Sequence, residues 1–202
     1  FIYISHNHPD HLNQFTLAKV RKDMHFIVPA FASDSARKLL NRFGFNNISS
    51  FDFNNYYKFK DTDLFFTILK SGDFREDSGF HFTYGNFSCL ATVDSNDLNF
   101  LKFPENISLF CSSFAGGASG YPLCFNDIEK QRKLEIIKRN TNAIKSTVKR
   151  QIQICNPSYY LPYAGFFSER APRDAYVMSL NKKNKTSDYI EALKKLEVDV
   201  LD

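Results

Sequence analysis

Apolar and polar positions along the chain divide it into an ordered series of short elements. Residues 1–4 form an apolar and aromatic run that ends at a polar turn, which predicts a buried strand. Residues 13–21 fit a short helix with Phe15, Leu17 and Val20 inward, and residues 25–29 fit a strand. Ser33 and Asp34 are good caps for a helix that Gly44 stops. Residues 48–53 and 64–69 read as strands. Residues 79–84 and 87–93 flank Gly85-Asn86, and two apolar runs around such a pair predict a hairpin. A buried strand at 107–111 opens into a small-residue loop at 115–120. From about residue 126 to 154, Ile128, Leu134, Ile137, Ile144, Val148 and Ile152 make one stripe of an amphipathic helix, ended by Asn156-Pro157. Residues 158–162 return as a strand, 187–196 make a last helix, and 198–201 a final extended run. There is no internal repeat and no low-complexity linker. This order predicts a layered α/β fold.

Bulk properties narrow the picture. A chain of 202 residues suits one domain, 1–202, better than two. With 43% hydrophobic and 24% charged residues it reads as an ordinary soluble protein. Its 22 Phe and no Trp suit sheets packed against helices. The net charge of +4 is mild, and the densest basic stretch, 130–150, is interleaved with apolar residues at helical spacing. That is a solvated helix face, so no nucleic-acid partner is expected. Cys89, Cys111, Cys124 and Cys155 include no Cys-x-x-Cys pair and read as reduced, buried thiols of a cytoplasmic protein. No run approaches the roughly 18 apolar residues of a membrane span, and no secretory signal is visible. Phe1 stands within a strand-like run, so the natural start is expected upstream.

The chemistry concentrates early. Three of the five histidines fall in Ser5-His6-Asn7-His8-Pro9-Asp10-His11, just past a strand. His6 and His8 alternate, so both can point to one side of an extended segment. Asp10 and His11 follow a proline, where the chain turns. His6 and His8 are expected to hold one metal ion, and Asp10 and His11 a second. In the small-residue loop, Gly116, Gly117 and Gly120 let the backbone approach a ligand, and free N–H groups there can cradle a phosphate or carboxylate. Tyr121 and Tyr163 can line the same pocket and stack on a sugar or base. His25 and His81 read as core or surface-pairing residues.

The His-x-His-x-Asp-His pattern resembles the metallo-β-lactamase superfamily. The opening Tyr3-Ile4-Ser5-His6, Pro9-Asp10-His11-Leu12-Asn13, the segment from Phe114 to Pro122 and the segment from Tyr160 to Glu169 resemble, in order, the CMP-N-acetylneuraminate hydroxylases. That resemblance implies a four-layer αββα sandwich, here truncated at its N-terminal side, with a metal site at one edge. It implies substrate contacts at Gly116, Gly117, Ser119, Tyr121 and Tyr163. Thr92-Val93-Asp94 fits the family's strand-end aspartate, which makes Asp94 a ligand. Counting back from Asp94, the family's next histidine ligand falls on Asp73. Asp73 either completes two imidazoles with a carboxylate, a set that suits iron and oxygen chemistry, or is a turn residue after Gly72. The resemblance also implies an electron-supplying iron–sulfur Rieske domain. No Cys in this chain has the suitably spaced His such a domain needs, so that donor is expected to be external.

Three functions follow. The first is a metal-dependent oxygenase acting on a sugar nucleotide with one or two iron or zinc ions. The second is a metallohydrolase of a phosphoester or lactone, in which Asp10 orients the nucleophile and Asp94 bridges the ions. The third is a catalytically silent sugar-nucleotide binding module.

Overall fold

The computed structural model describes residues 1–95, 97–116, 120–165 and 168–202. They divide into two units, Phe1–Lys102 and Phe103–Asp202.

In the first unit, β1 (Ile2–Tyr3), β2 (Phe26–Pro29) and β3 (Ile48–Phe51) pair in parallel in that order. The connections carry α1 (Gln14–Leu17) and α2 (Ser35–Arg42). β2 is buried at every position because both faces of this sheet are covered. Phe26 and Val28 join Leu17, Ala36 and Leu40 of the helices in one core cluster. Ile27, pointing the opposite way, joins Phe66, Ile68 and Phe80 in another. Those three come from an antiparallel meander, β4 (Tyr57–Lys58), β5 (Leu64–Lys70), β6 (Ser78–Tyr84) and β7 (Phe87–Ala91). Helices, parallel sheet and antiparallel sheet thus stack as three layers, and the first sheet's C-terminal edge is where β1 delivers the histidines.

In the second unit, β8 (Leu109–Ser113), β9 (Tyr159–Ala164) and β10 (Asp199–Val200) pair in parallel with β9 in the middle. The helix α3 (Lys130–Cys155) packs on β8, and α5 (Thr186–Leu193) packs on both α3 and β10. A short α4 spans Ala175–Leu180.

The expected elements are present with shifted ends. The hairpin turns at Gly85, which has φ +55, but β7 stops at Ala91 because Val93 adopts φ +53. Only Ser33 caps α2, its Oγ accepting from the Ser35 N–H. Asp34 has φ +51 and gives its carboxylate to Arg37 instead. α3 begins at Lys130 rather than near 126, since Glu129 is still extended. Its buried face holds Ile137, Val148 and Ile152 as expected, and also Ile136, Lys133 and Gln151. β4 and α4 were too short to show in the pattern. Of the four free thiols, Cys89, Cys111 and Cys155 are buried, but Cys124 is exposed. Among the described residues, no helix is long and apolar enough to cross a membrane.

Candidate metal centre

The strand β1 continues one residue past its assigned end: the Ile4 N–H donates to the Ile27 carbonyl at 3.0 Å. Ser5 and His6 are therefore drawn into the interior, where His6 is 2% exposed. Beyond them the chain turns at Pro9, with the N–H groups of His11 and Leu12 both donating to the His8 carbonyl. Buried Leu12 anchors the far side of this turn. The segment is thus folded back on itself, and His8, Asp10 and His11 converge on His6.

His6 Nε2 lies 2.9 Å from His8 Nδ1 and 4.0 Å from Asp94 Oδ2. The same Asp94 oxygen is 3.3 Å from His11 Nε2, which lies 3.6 Å from Asp10 Oδ2. Two groups of possible ligand atoms result, His6/His8/Asp94 and Asp10/His11/Asp94, each with all its atoms within 4.8 Å. Imidazole nitrogens and carboxylate oxygens are the donors that iron and zinc accept. Asp94 belongs to both groups.

The electrostatics agree with a site built for cations. A hydrogen bond with Asp94 raises the His11 pKa, against the opposing effect of burial, and Asp94, Asp10 and Asp77 add to the rise. Reciprocally, the bond from His11 lowers the Asp94 carboxyl, which burial opposes, and His11, His6 and His8 add to the lowering. A bound ion would replace the His11 proton.

The sequence reasoning missed Asp77. It is 3% exposed, its Oδ1 accepts from the Ser78 N–H at 2.7 Å, and the same oxygen stands 3.2 Å from His6 Nδ1. His6 Nδ1 also bonds Ser5 Oγ at 2.9 Å, so Ser5 and Asp77 together flank that nitrogen and orient the ring. Ser78 secures the arrangement: its Oγ donates to the Ser5 carbonyl at 2.7 Å and meets the Tyr3 hydroxyl at 2.6 Å. The signal available in sequence was an acidic residue at the start of a strand that faces β1.

Asp73 stands outside both ligand groups. Its Oδ1 accepts from the Ser71 hydroxyl and the Arg75 N–H, both at 2.9 Å, and its Oδ2 from Arg75 Nε at 2.7 Å. Partial burial works to raise its carboxyl, but the bonds from Arg75 and Ser71 outweigh this and hold it below the usual carboxylate range. His25 bonds Ser49 Oγ at 2.9 Å, and burial lowers His81.

Of the expected substrate contacts, Gly117 and Ser119 lie outside the described residues. In the second unit, Gly116 has φ +102, and Gly116 and Tyr121 line a cleft of about 90 Å3 with Asn140, Thr141, Lys182 and Lys183. Tyr163 is half-exposed on β9 and does not line that cleft.

The fold and this His/Asp cluster together define the class. In structure the chain is similar to CmlA, a diiron β-hydroxylase from Streptomyces venezuelae, with TM-score 0.61 and 14% identity over 98% of this chain and 42% of that one. It is also similar to the metallo-β-lactamase fold protein YhfI from Bacillus subtilis, with TM-score 0.53 and 14% identity over 98% of this chain and 72% of that one. The chain is a metallo-β-lactamase-fold protein. By sequence it is related to the CMP-N-acetylneuraminic acid hydroxylases, being 33% identical to the enzyme of Gorilla gorilla gorilla over 96% of this chain. It spans about a third of that relative's length (33%). No protein-family model matches the chain.

Proposed function

We propose that this chain is catalytic-domain sequence of a metal-dependent oxygenase that hydroxylates a CMP-linked N-acetyl sugar. The observation that carries the reading is the relation to the CMP-N-acetylneuraminic acid hydroxylases over nearly the whole chain, together with the two ligand groups that share Asp94. Net hydroxylation joins one atom of O2 to the methyl carbon and reduces the other to water. Two protons and two electrons complete the balance, the electrons coming from an iron–sulfur donor. His6, His8, Asp10, His11 and Asp94 would hold iron, which when bound would supply the redox chemistry.

This chain's own residues do the rest. Asp77 and Ser5 orient the His6 ring. The fold of the 5–12 segment brings the rings of His8 and His11 within 4.4 and 4.2 Å of the His6 ring, centroid to centroid. Gly116, Gly117, Ser119, Tyr121 and Tyr163 are assigned to the sugar nucleotide, with backbone N–H groups and aromatic faces as the contacts. The free thiols fit a cytoplasmic setting.

One observation favours hydrolysis as a second reading. The Asp10 side chain is 75% exposed beside His11, where a carboxylate can orient water. The test is a single turnover with Fe(II), O2, a chemical reductant and CMP-N-acetylneuraminate, set beside hydrolysis of a chromogenic phosphodiester with Zn(II). A hydroxymethyl product that His6→Ala abolishes supports the oxygenase. Phosphodiester cleavage without hydroxylation supports the hydrolase. Binding of the sugar nucleotide unchanged by removal of all metal, with neither reaction, points to a silent module.

A further inference from the structure

A line of hydroxyl groups starts at Ser95, the residue after Asp94. Ser95 Oγ donates to Ser71 Oγ at 2.9 Å, and Ser71 Oγ donates to Asp73 Oδ1 at 2.9 Å. Ser71 and Ser95 are 3% and 2% exposed, so these bonds stand in a water-poor interior where successive donors reinforce one another. Asp73 ends the line and is itself held by the Arg75 N–H and guanidinium. The main chain follows the same course. The Gly72 N–H donates to the Asp97 carbonyl at 2.8 Å, and a Cβ on Gly72 would stand 2.4 Å from that oxygen. Only glycine permits so close an approach.

The line ends at a strained turn. The Ser95 N–H closes it on the Thr92 carbonyl at 3.1 Å, and inside it Val93, a β-branched residue, has φ +53. Glycine is the ordinary occupant of such a position, and a branched side chain persists there only where its surroundings over-determine it. Asp94 is the next residue. The Ser95–Ser71 bond and the neighbouring Gly72–Asp97 bond tie the C-terminal side of this turn to the segment after β5.

We propose that Asp73 is a positioning residue for Asp94, acting through Ser71 and Ser95. Its carboxylate anchors the hydroxyl line, the line holds the strained turn, and the turn sets where the shared Asp94 oxygen stands between His6 and His11. This rests on the reading of those residues as metal ligands. It differs from that reading in giving Asp73 no contact with the ion.

Co(II) titration of the full chain tests it, read by visible absorption and alongside the melting temperature of the metal-free protein. Ser95→Ala and Asp73→Ala should each weaken Co(II) binding about tenfold, the low end for residues that orient a ligand. Both should shift the Co(II) spectrum. The double variant should lose little more than either single, because both act through one line. Asp73→Asn keeps an acceptor for Ser71 and should retain most of the affinity. If Asp73→Asn loses binding while Ser95→Ala keeps it, Asp73 is a ligand and the proposal is overturned. If all variants lower the metal-free melting temperature with Co(II) affinity and spectrum unchanged, the line is structural only and the proposal is also overturned. Wild-type binding that survives in both His6→Ala and Asp94→Ala would instead sink the ligand reading itself, a separate failure.

Discussion

Asp77 Oδ1 stands 3.2 Å from His6 Nδ1, and both residues are buried. The pair joins the first strand of the parallel sheet to the start of β6, so the ring of His6 is oriented before any ion arrives. Asp77→Ala should lower metal affinity by about 10- to 100-fold, the range for carboxylates behind a ligating imidazole. It should also cost roughly 1–3 kcal/mol of stability, since the buried Ser78 N–H loses its acceptor. Calorimetric titration with Zn(II) and chemical denaturation of the metal-free protein measure the two effects. Unchanged affinity would show that Ser5 alone is enough to orient His6.

Val93→Gly should stabilise the metal-free protein by about 1 kcal/mol, because the left-handed conformation ceases to be strained while the unfolded chain gains some freedom. Urea denaturation decides the matter. A loss of stability would mean that the Val93 side chain contributes more by packing than its backbone costs.

The four thiols should separate cleanly by reactivity. Cys124 is exposed, while Cys89, Cys111 and Cys155 are buried, and burial pushes the Cys155 thiol up to about 12. A chromogenic disulfide reagent at mild alkaline pH should modify one thiol in the folded protein and the other three only after denaturation. Rapid modification of more than one would contradict the packing around β7, β8 and the end of α3.

His81 gives the pH dependence a definite sign. Burial lowers its pKa from the ordinary 6.5, so the folded protein keeps it neutral where the unfolded chain takes up a proton. Stability from this group is present above pH 6.5 and is lost as pH falls through that value toward the lower folded pKa. The stability of His81→Gln relative to wild type should therefore rise as pH falls from neutral into acid. Denaturation of both proteins with chelator at several pH values between about 5 and 8 tests this. A difference between them that does not vary with pH would rule it out.

The legible parts of the fold were those with strong period or punctuation. The buried run at β2, the hairpin around Gly85-Asn86 and the long stripe of α3 all appear where the pattern puts them. Elements of two residues, such as β4, carry no period to read. Three of the ligand candidates were visible because His6, His8 and His11 are neighbours in sequence, and the short spacing of a chelating segment survives in one dimension. Asp94 entered through resemblance, since nothing local marks it off from other acidic residues. Asp73 and Asp77 show the limit. Both are acids in one turn, four residues apart, and only the pairing of β5 with β6 and the reach of Ser71 decide which one faces His6.

The ordering of donors along the chain also bears on how metal and folding are linked. Four of the five candidate donors lie within residues 6–11, and the fifth, Asp94, arrives from the far end of the unit. An unfolded chain therefore still carries a chelating peptide. Any affinity it retains subtracts from the stabilisation that a metal confers by preferring the folded state. Saturating metal should raise the melting temperature by less than its measured affinity for the native protein predicts. The shortfall gauges how much of the binding strength resides in the short segment and how much waits for Asp94 to be brought home.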